Sequence, residues 1–157
     1  MKTTAMSLLL ASSALAAPTN NNTTTTSSAS LQITDMWATT SVRGNTANMH
    51  FVLTDPNYPA DTPTDCNLIW PYGSNPDANA RCNNGQYYVR FPNGARDIGF
   101  FTLELERVSG PIPVKGQVLL SDNAKGGAPG TKWICDELNN PGVTERCCSN
   151  GILEMGI

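Results

Sequence analysis

Histidine is nearly missing from this chain. Its 157 residues include one, His50. A Ser-His-Asp or Cys-His device would have to use it, because bases that work at neutral pH are most often histidines. His50 falls mid-strand, on the face opposite Met49 and Phe51, which favours a side chain turned to solvent or to a second layer. One histidine also argues against a mononuclear metal site, which usually takes two or more outside all-cysteine clusters. There is no CxxC spacing, so cysteine-based zinc binding lacks its motif as well. Charge is scarce. Charged residues make up 15% of the chain, against about a quarter in an ordinary domain. The net charge is −3 and no Lys/Arg cluster occurs. That argues against nucleic acid, which needs a basic stripe, and against a membrane surface, which needs a cationic amphipathic helix. No helical-period run of useful length and no internal repeat is found. Nothing in the sequence calls for a cofactor.

What is present begins with a leader. Residues 1–16 have a positive start at Lys2, an apolar run from Met6 through Leu10, and the small-x-small site Ala14-Leu15-Ala16. This is a signal peptide, cut after Ala16, since a cut after Ala17 would place Pro18 beside the scissile bond. The apolar run is too short for a bilayer core of about 30 Å, so the protein is expected to be secreted and extracellular. Residues 17–30 are a Ser/Thr/Asn-rich arm too polar to order itself. Asn21 and Asn22 open overlapping N-glycosylation sequons in that arm. Residues 31–157 form one domain, a length that can bury a real core.

The domain reads as all-β, with 13 Gly and 11 Pro to supply turns. LQITDMWATT is a first strand that alternates through Leu31, Ile33, Asp35 and Trp37. ANMHFVLTD is the clearest strand, with Ala47, Met49, Phe51 and Leu53 on one face. CNLIW follows a proline-rich loop. QYYVRF and DIGFFTLELER make a hairpin. VKGQVLLS and TKWICDEL are further strands. The tail from Asn139 is rich in turn residues and ends in GILEMGI, a candidate edge strand. Seven or so short strands at this spacing give a compact antiparallel barrel or sandwich.

Candidate chemistry is sparse. Glu104 and Glu106 lie two apart on one strand and so share a face, with Asp97 nearby in sequence. Such carboxylates are the equipment of a glycoside hydrolase, and the plainer reading is the solvated face of an amphipathic strand. Trp37, Trp70, Tyr72, Tyr87, Tyr88 and Trp133 could stack on sugars, although Tyr87 and Tyr88 must point to opposite faces and core packing accounts for most such aromatics. The five cysteines carry more. Cys66 and Cys82 lie 16 positions apart, Cys135 and Cys147 lie 12 apart, and Cys148 follows directly. In a secreted domain nearby thiols become cross-links, and an odd one joins two chains or stays free.

The order of parts resembles a fungal secreted family, that of the Alternaria alternata major allergen (the allergen-1-like domain). The resemblance rests on the leader ending in Ala-Ala-Pro, the opening Ile33-Thr34-Asp35-Met36-Trp37, and the MHFVLTD strand before the Cys66 segment. Cys82, QYYVRF and FFTLELER then follow, with similar cysteine separations, over about residues 30–150. It implies a compact antiparallel β-barrel stapled by Cys66–Cys82 and Cys135–Cys147, in keeping with the short loops between those strands. Cys147 and Cys148 remain rivals for Cys135, because adjacent strand residues point opposite ways. If Cys147 pairs, Cys148 is the odd thiol, in a turn-rich surface segment. The resemblance also implies a fungal effector or elicitor, in some members an allergen, that binds host plant extracellular proteins without catalysis. The alternatives are a small secreted carbohydrate-active hydrolase using Glu104, Glu106 or Asp97, or a carbohydrate-binding module. The family's dimer-forming cysteine near the mature N-terminus has no counterpart in residues 17–65, so a homodimer here would have to use the thiol at 147/148.

Overall fold

The computed structural model describes residues 29–122, 132–140 and 142–157. The leader, most of the arm with Asn21 and Asn22, and residues 123–131 and 141 lie outside the described residues. Among the described residues there are nine strands: β1 (Leu31–Ser41), β2 (Thr46–Thr54), β3 (Thr64–Trp70), β4 (Tyr87–Arg90), β5 (Phe100–Arg107), β6 (Lys115–Ser121), β7 (Trp133–Asn140), β8 (Val143–Ser149) and β9 (Leu153–Met155). No helix occurs among the described residues. All pairings are antiparallel. One sheet runs β3-β2-β1-β8-β7, with β9 paired to β1, and the other runs β4-β5-β6. Among the described residues no ladder joins a strand of one sheet to a strand of the other, so the architecture is sandwich-like and not a closed barrel.

Strand β1 departs from the simple alternation its sequence suggests. Asp35 has φ 51, and the register with β2 shifts between Thr34 and Trp37. This is a bulge, and an extra residue in one strand reverses which side chains face inward. Leu31 and Ile33 point to the core before it, and Met36, Ala38 and Thr40 after it. Asp35 is exposed and Trp37 stands on the outer face. The bulge also suits the partner side. β9 pairs with Leu31–Ile33 and β8 with Trp37–Thr40, so the 150–152 turn between them falls opposite the bulge.

The segment expected to be a turn-rich surface run is strand β8, seated between β1 and β7. Turn residues flank it on both sides, and the strand itself is short and polar on both faces at its start. The GILEMGI tail does add a strand, β9, on β1.

The inner faces of the two sheets meet in one core. Aromatic rings cross it as a chain. Trp70 of β3 packs on Phe91 at 6.4 Å, Phe91 on Phe101 of β5 at 5.7 Å, and Phe101 edge-on to Trp133 of β7 at 5.7 Å. The indole N–H of Trp133 donates to the Ile98 carbonyl at 2.8 Å. Such tilted and edge-on pairs add about 0.5–1.5 kcal/mol each beyond the area they bury.

A polar clamp holds the loop after β2 against β4 and β5. The Tyr87 hydroxyl donates to Asp55 and accepts from the Arg107 guanidinium at 2.7 Å. Arg107 also pairs with Asp61 at 2.8 Å, donates from Nε to the Ser109 carbonyl at 2.9 Å, and lies 3.4 Å over the Tyr58 ring. Tyr58 in turn exchanges two hydrogen bonds with the backbone of Ile112, at 2.6 and 2.9 Å. Burial, then the bond to Asp55, holds Tyr87 well above the ordinary tyrosine range, so its hydroxyl keeps the proton it donates. Gly110, at φ 140, sits where any Cβ would overlap the Tyr58 hydroxyl.

Two substitutions test this packing. Arg107→Ala leaves Tyr87, Asp61 and the Ser109 carbonyl short of a donor, and a loss of about 2–3 kcal/mol in urea unfolding is expected. An unchanged midpoint would show that the clamp is ornamental. Gly116→Ala places a Cβ 2.5 Å from the Gly156 carbonyl oxygen and 2.8 Å from Met155, where β6 meets the C-terminal segment. About 1–3 kcal/mol of destabilisation is expected from that overpacking, read as a lower Tm.

Candidate functional site

Strand alternation writes a single row of side chains across the outer face of the larger sheet. In order across β3, β2, β1, β8 and β7 it reads Asn67, His50, Trp37, Cys148 and Ile134, each opposite the next. His50 Nδ1 and Asn67 Oδ1 share a hydrogen bond at 2.9 Å. Its Nε2 lies 3.9 Å from Asp65, and its ring leans on Trp37 with centroids 5.7 Å apart. Cys148 is on the far side of Trp37. Two inter-strand spacings, about 10 Å, separate its backbone from that of His50. A nucleophile–base pair needs hydrogen-bond reach, and these two residues do not have it. His50 therefore sits on the outer face, half-buried beside Trp37 and Asn67.

The cysteines are resolved. Cys66 is bonded to Cys82 and Cys135 to Cys147. Cys147 wins over Cys148 because it stands directly opposite Cys135 in the β7–β8 ladder and faces the core. Cys148 is free and exposed, although it reaches the surface from the outer face of an interior strand and not from a turn. Glu145, Cys135 and Cys147 bring ligand-type atoms within 4.8 Å of one another. Both sulfurs are spent in the disulfide, so the donor set does not suit a cation. Two disulfides match an oxidising environment. No helix among the described residues is long and apolar enough to cross a membrane.

Glu104 and Glu106 do share the outer face of the smaller sheet, but they are not free acids. Arg90 of β4 and Lys115 of β6 flank them. Glu104 lies 3.7 Å from Arg90 and 3.1 Å from Lys115, and accepts from Gln117 at 2.5 Å. Glu106 pairs with Arg90 and, at 3.4 Å, with Lys115. Glu104 is buried, with 6% of its surface exposed. Burial alone would push its carboxyl up, but the Gln117 bond and the Lys115 and Arg90 cations outweigh it and hold the group below the usual range. An acid held ionised is a poor proton donor at neutral pH, and a glycosidase needs one carboxyl kept protonated. Asp97 is not with the pair. It lines a separate polar pocket with Asp122 and Glu145, and accepts from the Gly99 amide at 2.8 Å.

The aromatic residues do not form a platform. Trp70, Tyr87 and Trp133 are buried, and Tyr88 lies beneath the guanidinium groups of Arg81 and Arg90, at 4.4 and 4.5 Å. One feature escaped the sequence altogether. A pocket of about 400 Å³ opens between the 71–86 connection and the β4–β5 hairpin, walled by Phe91 and Pro76 with Arg90 and Glu104 to one side. Its only advance signal was the cysteine pair that ties that connection down.

These parts define a disulfide-stapled β-sandwich whose Glu104 and Glu106 are paired with Arg90 and Lys115 and whose candidate acid, base and nucleophile stand apart. No protein-family model, curated protein or solved structure matches the chain.

The ion pairs make acid stability testable. Glu104's folded value is below its unfolded one, so its contribution is full above about pH 4.3 and is lost as pH falls through the folded value. Urea midpoints should therefore fall between about pH 5 and pH 3, and fall less steeply in Glu104→Gln. Equal slopes in the two proteins would remove Glu104 from the account.

Proposed function

We propose that this chain is a secreted fungal effector or elicitor that works by binding host plant extracellular proteins, without catalysis. The observation that carries the binding reading is the outer face of the larger sheet. Ile69 there is 72% exposed, Ile134 is 41% exposed, and Trp37 and the Cys148 thiol lie between them. Exposed apolar groups on a stapled, rigid sheet suit recognition of another macromolecule, because little is lost in ordering on contact. The order of strands and cysteines, with its likeness to the allergen-1-like family, supplies the effector part of the reading. The leader and the two disulfides support release from the cell. Separation of His50 from Cys148, and of Asp97 from Glu104 and Glu106, supports binding over hydrolysis.

The test is infiltration of purified mature protein into leaf tissue, with recovery of bound apoplastic proteins. A local cell-death response and a retained protein are expected, both weakened by Ile69→Asp or Trp37→Ala. A hydrolase screen on wild type and His50→Ala runs beside it. An activity that disappears in the variant refutes the binding reading. Oxidation of Cys148 would join two chains, each thiol giving up a proton and an electron to an extracellular disulfide or comparable oxidant. A dimer on non-reducing gels that vanishes in Cys148→Ser is the expected result, and a dimer that persists in the variant excludes this bond.

A further inference from the structure

We infer that the pocket between the 71–86 connection and the β4–β5 hairpin is a binding site for a neutral, hydroxyl-rich ring, a sugar residue. This site is distinct from the outer face proposed above for macromolecules and stands independently of it.

The walls are built before any ligand arrives. Cys82 anchors the connection to β3 through Cys66. The connection is also tied to β4, with the Cys82 amide donating to the Tyr87 carbonyl at 3.0 Å and the Val89 amide to the Ala80 carbonyl at 2.8 Å. Asp77 closes a turn by accepting from the Asn79 amide at 2.8 Å, and Asn75 accepts from the Ala95 amide at 3.1 Å. A volume of about 400 Å³ falls in the small-molecule class.

The lining selects the chemistry. Pro76, Ala78, Phe91 and Pro92 supply apolar surface, which suits the C–H faces of a ring. Asn75, Asp77, Arg90 and Glu104 supply the polar groups. The Asn75 oxygen is engaged, which leaves its amino group to donate. Arg90 holds its carboxylate partners through Nη1 and has further N–H donors. Asp77, exposed at the rim, adds an acceptor. An anion would meet Asp77 and Glu104, and a cation would meet Arg90. Arg90 and Glu104 lie 3.7 Å apart, so a charged ligand of either sign drawn to one is repelled by the other. A neutral ligand with donors and acceptors along its edge and apolar faces avoids both penalties, and a pyranose is such a ligand.

The experiment is a ¹⁵N-NMR titration of the mature protein. The probes are glucose, galactose, xylose and N-acetylglucosamine, the disaccharides cellobiose and chitobiose, the charged sugars glucuronate and glucosamine, and phenol. Saturable shifts are expected at the amides of Asn75, Asp77, Ala78, Arg90 and Phe91 for at least one neutral sugar, in the millimolar range. Glucuronate and glucosamine should bind more weakly than the neutral sugar. Asp77→Asn keeps an acceptor for the Asn79 amide while removing the charge, and should weaken the best neutral sugar about tenfold. Phe91→Leu should weaken it too, and because Phe91 also packs in the core, Asp77→Asn carries the decision. No saturable shift in this pocket with any neutral sugar overturns the inference. So do shifts confined to another face, binding of phenol alone, or affinity unchanged in Asp77→Asn.

Discussion

Strand β1 shares hydrogen-bond ladders with β2, β8 and β9, and the placement of its bulge decides what the larger sheet presents on each side. Without the extra residue at Asp35, Trp37 would continue the row of Leu31 and Ile33 into the core. With it, Met36 and Ala38 take the inner positions and the indole is delivered to the surface. The same irregularity gives the C-terminal tail room to turn between β8 and β9 while both remain on β1. The core of one face and the exposed row of the other are thus set by one change of parity.

The two sheets are joined by side chains and loops, not by a shared ladder. Three kinds of tie do this. The aromatic chain from Trp70 to Trp133 fills the interior. The Arg107 clamp fastens the loop after β2 to the hairpin of the smaller sheet. The Cys66–Cys82 bond fastens the larger sheet to the connection that leads into β4. The tight approach of Gly116 to the C-terminal backbone closes a further edge, between β6 and the segment after β9.

Much of the fold could be read from the residues, and the failures have physical causes. The alternation of Ala47, Met49, Phe51 and Leu53 marked β2, and that of Phe101, Leu103 and Leu105 marked β5, because each buries one full face. The shared face of Glu104 and Glu106 followed from the same period. The burial of Glu104 did not, since its cover comes from Arg90, Lys115 and Gln117 on the neighbouring strands. Trp37 was misplaced in the alternation because a bulge leaves no period-two trace. β8 was taken for a turn because its start is polar on both faces and glycine and asparagine crowd its ends. The choice of Cys147 over Cys148 needed the register of β7 on β8, which spacing alone does not contain. The pocket beside Phe91 needed the path of the 71–86 connection, and irregular backbone is where local pattern says least.

The two disulfides do not guard the same thing. Cys135–Cys147 rivets an edge strand, β7, to its single ladder partner, β8. Cys66–Cys82 holds the wall of a cavity. A reducing milieu would therefore act on this molecule regionally: one broken bond frees a margin of the sheet, with its backbone donors and acceptors ready to find another chain, and the other relaxes the recess beside Phe91 while the sheet beneath it keeps its ladder. Redox conditions then become a dial on local order at two separate addresses, more than a switch on folding as a whole.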